Sequence, residues 1–335
     1  MEQMSEWRGL DEILKSGDSR MKKCLIVIWF GKFPNYFDLF LKSCSWNPSW
    51  NWIIFTDQRI EEKVIPSNVR FISTDFGKMI SQIENRLNVK LSTKIKPYKL
   101  CDLKPLYGYI FEKELEEEKV DYWGHCDIDV VWGNLSKFFP DDLIAQYDKF
   151  LWLGHLTLYK NTEQNNRIFK EAKFKNVDYK TIIRSRYNWG FDEYRKYALL
   201  RILEKKNGYR IYTDETNVAD ISPWEGYKII DGLEPGKETQ LKELDYVRVE
   251  LGSVWVKYKS ELDEKEKAYA HFQKREFDYF PIDSSKPYYF LCNTICQDKS
   301  YKGKQIVKKD NRYFPIRITQ FFKIFEIIKF NIRNS

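Results

Sequence analysis

The sequence predicts an α/β fold, an open sheet flanked by helices. Three observations carry that reading. Cys24–Phe30 is a continuous apolar, β-branched run, the pattern of a parallel strand buried on both faces. Strand-like runs recur at Trp52–Thr56, Val69–Ser73 and Asp121–Gly124, with segments of helical spacing between them. The breaks fall at Gly31 to Pro34 and at Pro66-Ser67-Asn68, residues that favour turns.

In order, residues 1–20 read as a short polar helix or an irregular extension. The first strand is followed by a helix over Tyr36–Cys44, then by the second and third strands. Helices are expected over 76–91 and over Tyr98–Leu115, the latter opening after Pro97. Past residue 150 the pattern loosens. Strands are expected at Phe150–Leu153, Thr157–Tyr159, Tyr209–Tyr212 and Trp224–Ile230, with a strand pair around Gly252 in Tyr246–Lys259 and a helix over Tyr194–Lys206. The expected organisation is an extension over 1–21, a main domain over 22–275 with parts 22–135 and 136–275, and a basic amphipathic extension over 276–335. No internal repeat is evident.

Composition narrows the function classes. The chain has 335 residues, 43% hydrophobic and 31% charged, which places it among globular proteins rather than disordered ones. Its net charge is +7, yet residues 299–335 hold ten Lys/Arg against two acids, leaving the rest of the chain near neutral. A nucleic-acid binder carries its positive charge across the folded surface, so that class is disfavoured. Six cysteines are scattered, and Cys292-x3-Cys296 lacks the second pair or neighbouring His of a zinc site. The start is polar, with no secretory leader, and no apolar run reaches the ~18 residues of a membrane span. The expected setting is cytoplasmic, with peripheral attachment at the inner face of the membrane.

Asp121-Tyr-Trp-Gly-His-Cys-Asp-Ile-Asp-Val-Val-Trp-Gly-Asn-Leu135 carries the most information. Asp127 and Asp129 sit two apart directly after a predicted strand, between apolar residues. Carboxylates in such a setting call for a cation. Hard oxygen ligands suit Mn²⁺ or Mg²⁺, which keep coordination positions open for phosphate oxygens. The plainer alternative is a surface turn with solvated acids.

This segment resembles the Asp-x-Asp motif of GT-A glycosyltransferases. Tyr98-Lys-Leu-Cys-Asp-Leu-Lys-Pro-Leu-Tyr-Gly-Tyr109 is similar to the helix that precedes it in many such enzymes. The resemblance spans about residues 22–275 and is specific over 98–135; it implies a catalytic domain there, with 22–135 as the nucleotide-sugar part and 136–275 as the acceptor part. It implies a GT-A-like, Rossmann-type open mixed sheet with a C-terminal helical extension. It also implies metal-dependent transfer of a sugar from a nucleotide-sugar donor, a UDP-sugar by family, to a hydroxyl of a glycan or lipid-linked acceptor. Bacterial polysaccharide and capsule glycosyltransferases, galactofuranosyltransferases among them, are the relatives it suggests.

Other residues are matched to the family one by one. Asp57, ending the second strand, is expected at the uracil or ribose, or else as a strand-end cap. Lys99 and Asp102 are expected to face the nucleotide, or to form an i,i+3 pair. His271 is expected to complete the metal shell with Asp127 and Asp129, and Lys274 and Arg275 to neutralise the diphosphate. His125 and His155 are weaker candidates near the site. Tyr187-Asn-Trp-Gly-Phe-Asp-Glu193 resembles a segment of inverting GT-A enzymes in which an acid deprotonates the acceptor. There Asp192 is the expected base, Glu193 the second choice, and Trp189 a sugar-stacking ring. The alternative for this segment is a helix N-terminus.

The tail Phe314–Arg333 alternates Ile and Phe with Lys and Arg at helical spacing, which suits an anionic membrane surface or docking on the domain. Two other functions stay open. A sugar nucleotidyltransferase needs a Gly-rich phosphate loop that Gly31-Lys32-Phe33-Pro34 does not supply. A non-catalytic carbohydrate-binding or membrane-tethering protein would use its aromatics for stacking.

Overall fold

The apolar run after Lys22 is the central strand β1 (Lys23–Trp29). The computed structural model describes residues 21–60, 65–193, 195–222, 226–231, 235 and 240–301. The N-terminal extension and the tail on which membrane contact rests lie outside the described residues. β2 (Trp50–Thr56) and β3 (Val69–Ser73) extend the sheet in parallel on one side of β1. β4 (Tyr122–Cys126) pairs in parallel on the other. The chain then leaves this sheet as β5 (Val130–Trp132) and returns to it as the antiparallel pair β6 (Lys149–Leu153) and β7 (Leu156–Lys160). A small hairpin of β8 (Lys173–Phe174) and β9 (Val177–Asp178) stands apart, and β10 (Ile211–Tyr212) closes the edge, giving the order β10-β6-β7-β4-β1-β2-β3.

β1 is apolar throughout because both its faces are covered. Leu25 and Val27 pack with Trp52, Ile54 and the helix α1 (Phe37–Ser45). Cys24 and Ile26 point the other way, onto Ile53, Phe55 and the helix α2 (Phe76–Leu87). α2 starts where the Asp75 carboxylate accepts from Lys78 N at 2.8 Å and stops where Asn88 adopts a left-handed φ of 50°.

The second sheet has ten strands. β11 (Val218–Ile221), β12 (Lys228–Asp231), β13 (Gln240–Glu250) and β14 (Ser253–Tyr258) lead to β15 (Glu264–Lys267) and β16 (Tyr269–His271). β17 (Asp278–Tyr279), β18 (Tyr288–Phe290) and β19 (Thr294–Cys296) complete it, β18 pairing with β13. β5 joins this sheet by pairing with β16. The result is a mixed α/β body in which an open mixed sheet is flanked by helices. No described helix is long and apolar enough to cross a membrane.

Four expectations need correcting. Tyr98–Leu115 is not one helix but a 3₁₀ segment over Pro97–Leu106 and two short turns, Tyr107–Ile110 and Glu112–Glu117. Pro105, with no N–H to donate, interrupts an α-helical ladder there. Within 195–206 only Leu200–Leu203 is α-helical. The folded body does not end at 275, because β17–β19 pair into the second sheet. Nor does 135/136 divide it, since β6, β7 and β10 complete the first sheet.

Gly108 shows how tightly this segment packs. A Cβ there would lie 2.2 Å from Trp123 Cε2. The indole is fixed from its other sides by Tyr159, stacked at 4.6 Å, and by Asn166 Oδ1, which accepts from Nε1 at 2.6 Å. Gly108→Ala is therefore expected to destabilise the protein by about 1–3 kcal/mol. Equilibrium urea unfolding checks it, and a midpoint equal to wild type refutes the packing argument.

Candidate functional site

Asp127-Ile128-Asp129 is the three-residue step by which the chain passes from β4 to β5, that is, from one sheet to the other. Both ends of the step are pinned. Asp127 N–H donates to the His155 carbonyl at 3.4 Å, and the Asp129 carbonyl accepts from Phe272 N–H at 2.9 Å. Ile128 is buried in the apolar cluster with Val130, Trp132 and Leu156. Residues two apart around a buried neighbour expose their carboxylates to the same side. Asp129 is buried and Asp127 is half-buried, at the solvent side.

His271 comes from β16, whose antiparallel pairing sets it opposite Val130. Its Nε2 lies 3.5 Å from Asp129 Oδ1 and 3.8 Å from Asp127 Oδ2. Its Nδ1 bonds Asp220 Oδ1 at 2.7 Å. Burial opposes charge on the imidazole, but Asp129 and Asp220 outweigh it and hold its pKa up to about 10. Burial likewise opposes the Asp129 carboxylate, and His271 outweighs it, holding that group down at about 2. Asp127, Asp129 and His271 each offer a ligand atom within 4.8 Å of the others. Two carboxylates and an imidazole are a donor set that suits Mn²⁺ or Mg²⁺.

Beyond β16 the chain bends sharply. Gln273 and Lys274 have φ of 47° and 61°, left-handed values that cost non-glycine residues about 1–2 kcal/mol each. The bend is held because Lys274 N–H donates to Asp129 Oδ2 and Gln273 Nε2 donates to Asp220 Oδ1. The Lys274 ammonium lies 4.0 Å from the ring centre of the exposed Tyr98, so the site has one lysine and one aromatic ring at its rim.

On the other side stands Lys104, from the 3₁₀ segment. Its Nζ donates to Asp127 Oδ1 at 2.7 Å and to the Gly154 carbonyl at 2.9 Å, and lies 3.7 Å from Asp192 Oδ2. Burial would discharge this lysine, but Asp127 and Asp192 hold its pKa well above the ordinary value. Asp192 is itself buried, and burial pushes its carboxyl well up despite Lys104. A Cβ at Gly154 would come 3.1 Å from Asp192 Oδ2 and 3.4 Å from Lys104 Nζ, so the missing side chain leaves room beside both.

Residues 25–299 match a family of unknown function, DUF6625. The chain belongs to this family. The matched region spans both sheets and every residue of the cluster. No curated protein matches the chain.

The DUF6625 fold brings together Asp127, Asp129, His271, Asp192 and the Lys274 backbone, and leaves other expected residues elsewhere. Asp57 is exposed at the end of β2, where it accepts from Gly31 N–H at 3.0 Å and Gln58 Nε2 at 2.8 Å. Glu193 stays at the margin of the cluster: its Oε2 pairs with Arg195 at 3.2 Å, and its Oε1 would lie 3.8 Å from a Cβ at Gly154. Arg275 does not face the site. Its guanidinium donates to the carbonyls of Cys292, Ser222 and Gly226 and to Asn293 Oδ1, tying β16 to the loops around it. Trp189 is buried edge-on to Tyr197 at 5.0 Å, which leaves no open face for a sugar.

Lys99 and Asp102 are buried structural groups rather than nucleotide contacts. Lys99 Nζ donates to Asp102 Oδ2 at 2.6 Å and to the carbonyls of Ile182 and Tyr187. Asp102 also accepts from Trp189 N–H at 2.7 Å and Phe191 N–H at 2.9 Å. The pair shapes the turn that presents Asp192. Of the weaker candidates, His125 is buried with Nδ1 3.3 Å from the Gly154 carbonyl, while His155 Nδ1 bonds Tyr269 Oη at 2.8 Å.

Lys104 and Asp220 escaped the sequence reading, yet both carry a signal. Each is a charged residue in an apolar stretch, Leu103–Leu106 and Val218–Ile221, where a charge is buried only with a partner.

Removing Asp102 would strand the Lys99 ammonium. Asp102→Ala is expected to cost about 3–5 kcal/mol. It should also loosen the turn before Asp192. Denaturant unfolding measures the first and amide exchange at Trp189 and Phe191 the second. A loss below ~1 kcal/mol would return Asp102 to a ligand-facing role.

Proposed function

We propose that this DUF6625 protein is a metal-dependent glycosyltransferase of GT-A type. It moves a sugar from a nucleotide-sugar donor, a UDP-sugar, to a hydroxyl of a glycan or lipid-linked acceptor, with inversion at the anomeric carbon. The observation that carries the reading is the convergence of Asp127, Asp129 and His271 at the carboxyl end of β4. In open α/β sheets, ligands bind at that edge. Four parallel strands, β3-β2-β1-β4, continued by antiparallel β7, support the GT-A reading of the fold.

Bound Mn²⁺ or Mg²⁺ supplies positive charge for the departing diphosphate. Asp127, Asp129 and His271 would hold it. The Lys274 ammonium at the rim would meet a phosphate oxygen. Asp192 takes the proton of the acceptor hydroxyl as its oxygen bonds the anomeric carbon, and the bond from that carbon to the phosphate oxygen breaks toward the leaving group. Lys104, between Asp127 and Asp192, keeps the two carboxylates from repelling each other. A tethering or carbohydrate-binding protein would need none of this donor set.

Three outcomes are expected. Asp129→Ala should abolish Mn²⁺-dependent UDP binding in calorimetry; binding that persists undiminished sinks the metal assignment. Asp192→Asn should lower transfer about 10²- to 10⁴-fold and leave UDP binding intact. Because the base works only when ionised and its pKa is raised, the wild-type rate should fall as pH is lowered through that pKa. A wild-type rate in the variant moves the base elsewhere. Finally, His271 is an imidazolium at neutral pH, so Mn²⁺ uptake there should release ~1 proton. The dependence of the binding enthalpy on buffer ionisation reads this number, and zero release would contradict ligation by His271.

A further inference from the structure

The strand β11 places Asp220 beside His271. The two residues are register partners in the parallel β11–β16 pair, so their side chains leave the sheet side by side. Asp220 is buried in an otherwise apolar strand, Val218–Ile221. Its Oδ1 accepts from His271 Nδ1 at 2.7 Å and from Gln273 Nε2 at 2.7 Å. Both partners lie on the same stretch as Lys274, whose N–H holds Asp129.

We propose that Asp220 is a positioning residue that orients His271 for a divalent cation, an inference that rests on the metal reading of Asp127 and Asp129. A histidine whose Nδ1–H is donated to a carboxylate presents its Nε2 lone pair, and the carboxylate makes that nitrogen a stronger donor. Here Nε2 is the atom that faces Asp129 Oδ1 at 3.5 Å and Asp127 Oδ2 at 3.8 Å. Without Asp220 the imidazole keeps its place in the strand but loses the contact that fixes its ring plane and its proton. Gln273 restrains the carboxylate and, through its left-handed backbone, couples Asp220 to the bend that carries Lys274. His155 flanks the pair, its ring centre 4.5 Å from that of His271. His155, Asp220 and His271 also place ligand atoms within 4.8 Å of one another, so a second cation there is the rival arrangement. The Asp220–His271 hydrogen bond favours positioning, because it occupies the Nδ1 that a second cation would need.

The test is Mn²⁺ binding to the full chain, followed by electron paramagnetic resonance, with thermal melts to establish folding. Wild type should bind one Mn²⁺. Asp220→Ala should weaken binding about 10- to 100-fold, and Asp220→Asn, which keeps an acceptor but not the charge, should recover part of the loss. His155→Ala should bind as wild type does. Should Asp220→Ala fail to fold, Gln273→Ala carries the test with a smaller loss of affinity. Wild-type affinity in a folded Asp220→Ala, or in Gln273→Ala when that variant stands in, overturns the proposal and leaves the Asp127–Asp129 site intact. Two Mn²⁺ per wild-type chain, one lost with either Asp220→Ala or His155→Ala, overturns it in favour of a second cation. A wild-type chain that binds no Mn²⁺ overturns the metal reading and this proposal together.

Discussion

Three carboxylates cannot lie against one another under a protein surface without positive charge close by. In this protein that constraint governs the joint between the two sheets. Asp127, Asp129 and Asp220 converge where the chain steps from β4 to β5, and Lys104 and the His271 imidazolium answer them. An uncompensated buried charge costs several kcal/mol, a large part of the net stability of a domain. The cations are therefore not decoration on a finished fold. Lys104 has to come from the 3₁₀ segment and His271 from β16, so the two halves of the molecule are held in one relative placement by the charge they share.

A second polar network supports the first from behind. The Lys99–Asp102 pair is fully enclosed and spends its hydrogen bonds on the backbone of the Ile182 to Phe191 region. That region delivers Asp192 to Lys104. Arg275 does the equivalent on the other side, tying the strand of His271 to the loops at 222, 226 and 292. Asp192 and His271 are thus each backed by charged groups whose hydrogen bonds go mainly to backbone. This division explains why charged residues with similar surroundings in the sequence have different roles in the fold.

Much of this was legible in the sequence. The strands β1 to β4 follow from apolar runs, because a parallel strand covered on both faces has little choice of composition. Asp127 and Asp129 stood out for the same reason in reverse, as acids where apolar residues belong. His271 was reachable as one of only three histidines. Less was legible where partners are distant. Whether Asp102 or Arg275 faces a ligand or the backbone depends on segments about 90 or 50 residues away, and helical periodicity at 98–115 took no account of Pro105, which interrupts the ladder. The second sheet was the least legible, because its short strands are set by pairing rather than by pattern.

The span of the site along the chain has a consequence for how the protein is made. Asp129 and Lys274 are 145 residues apart, and β18 and β19, which finish the second sheet, come later still. During synthesis the first sheet can assemble long before its acidic step meets the strand of His271, since contacts of such separation form last. A growing chain thus carries Asp127 and Asp129 without their imidazole partner until β16 has been made. The cluster of acids and imidazole is complete only with the closing strands, so its assembly marks the end of folding rather than its beginning.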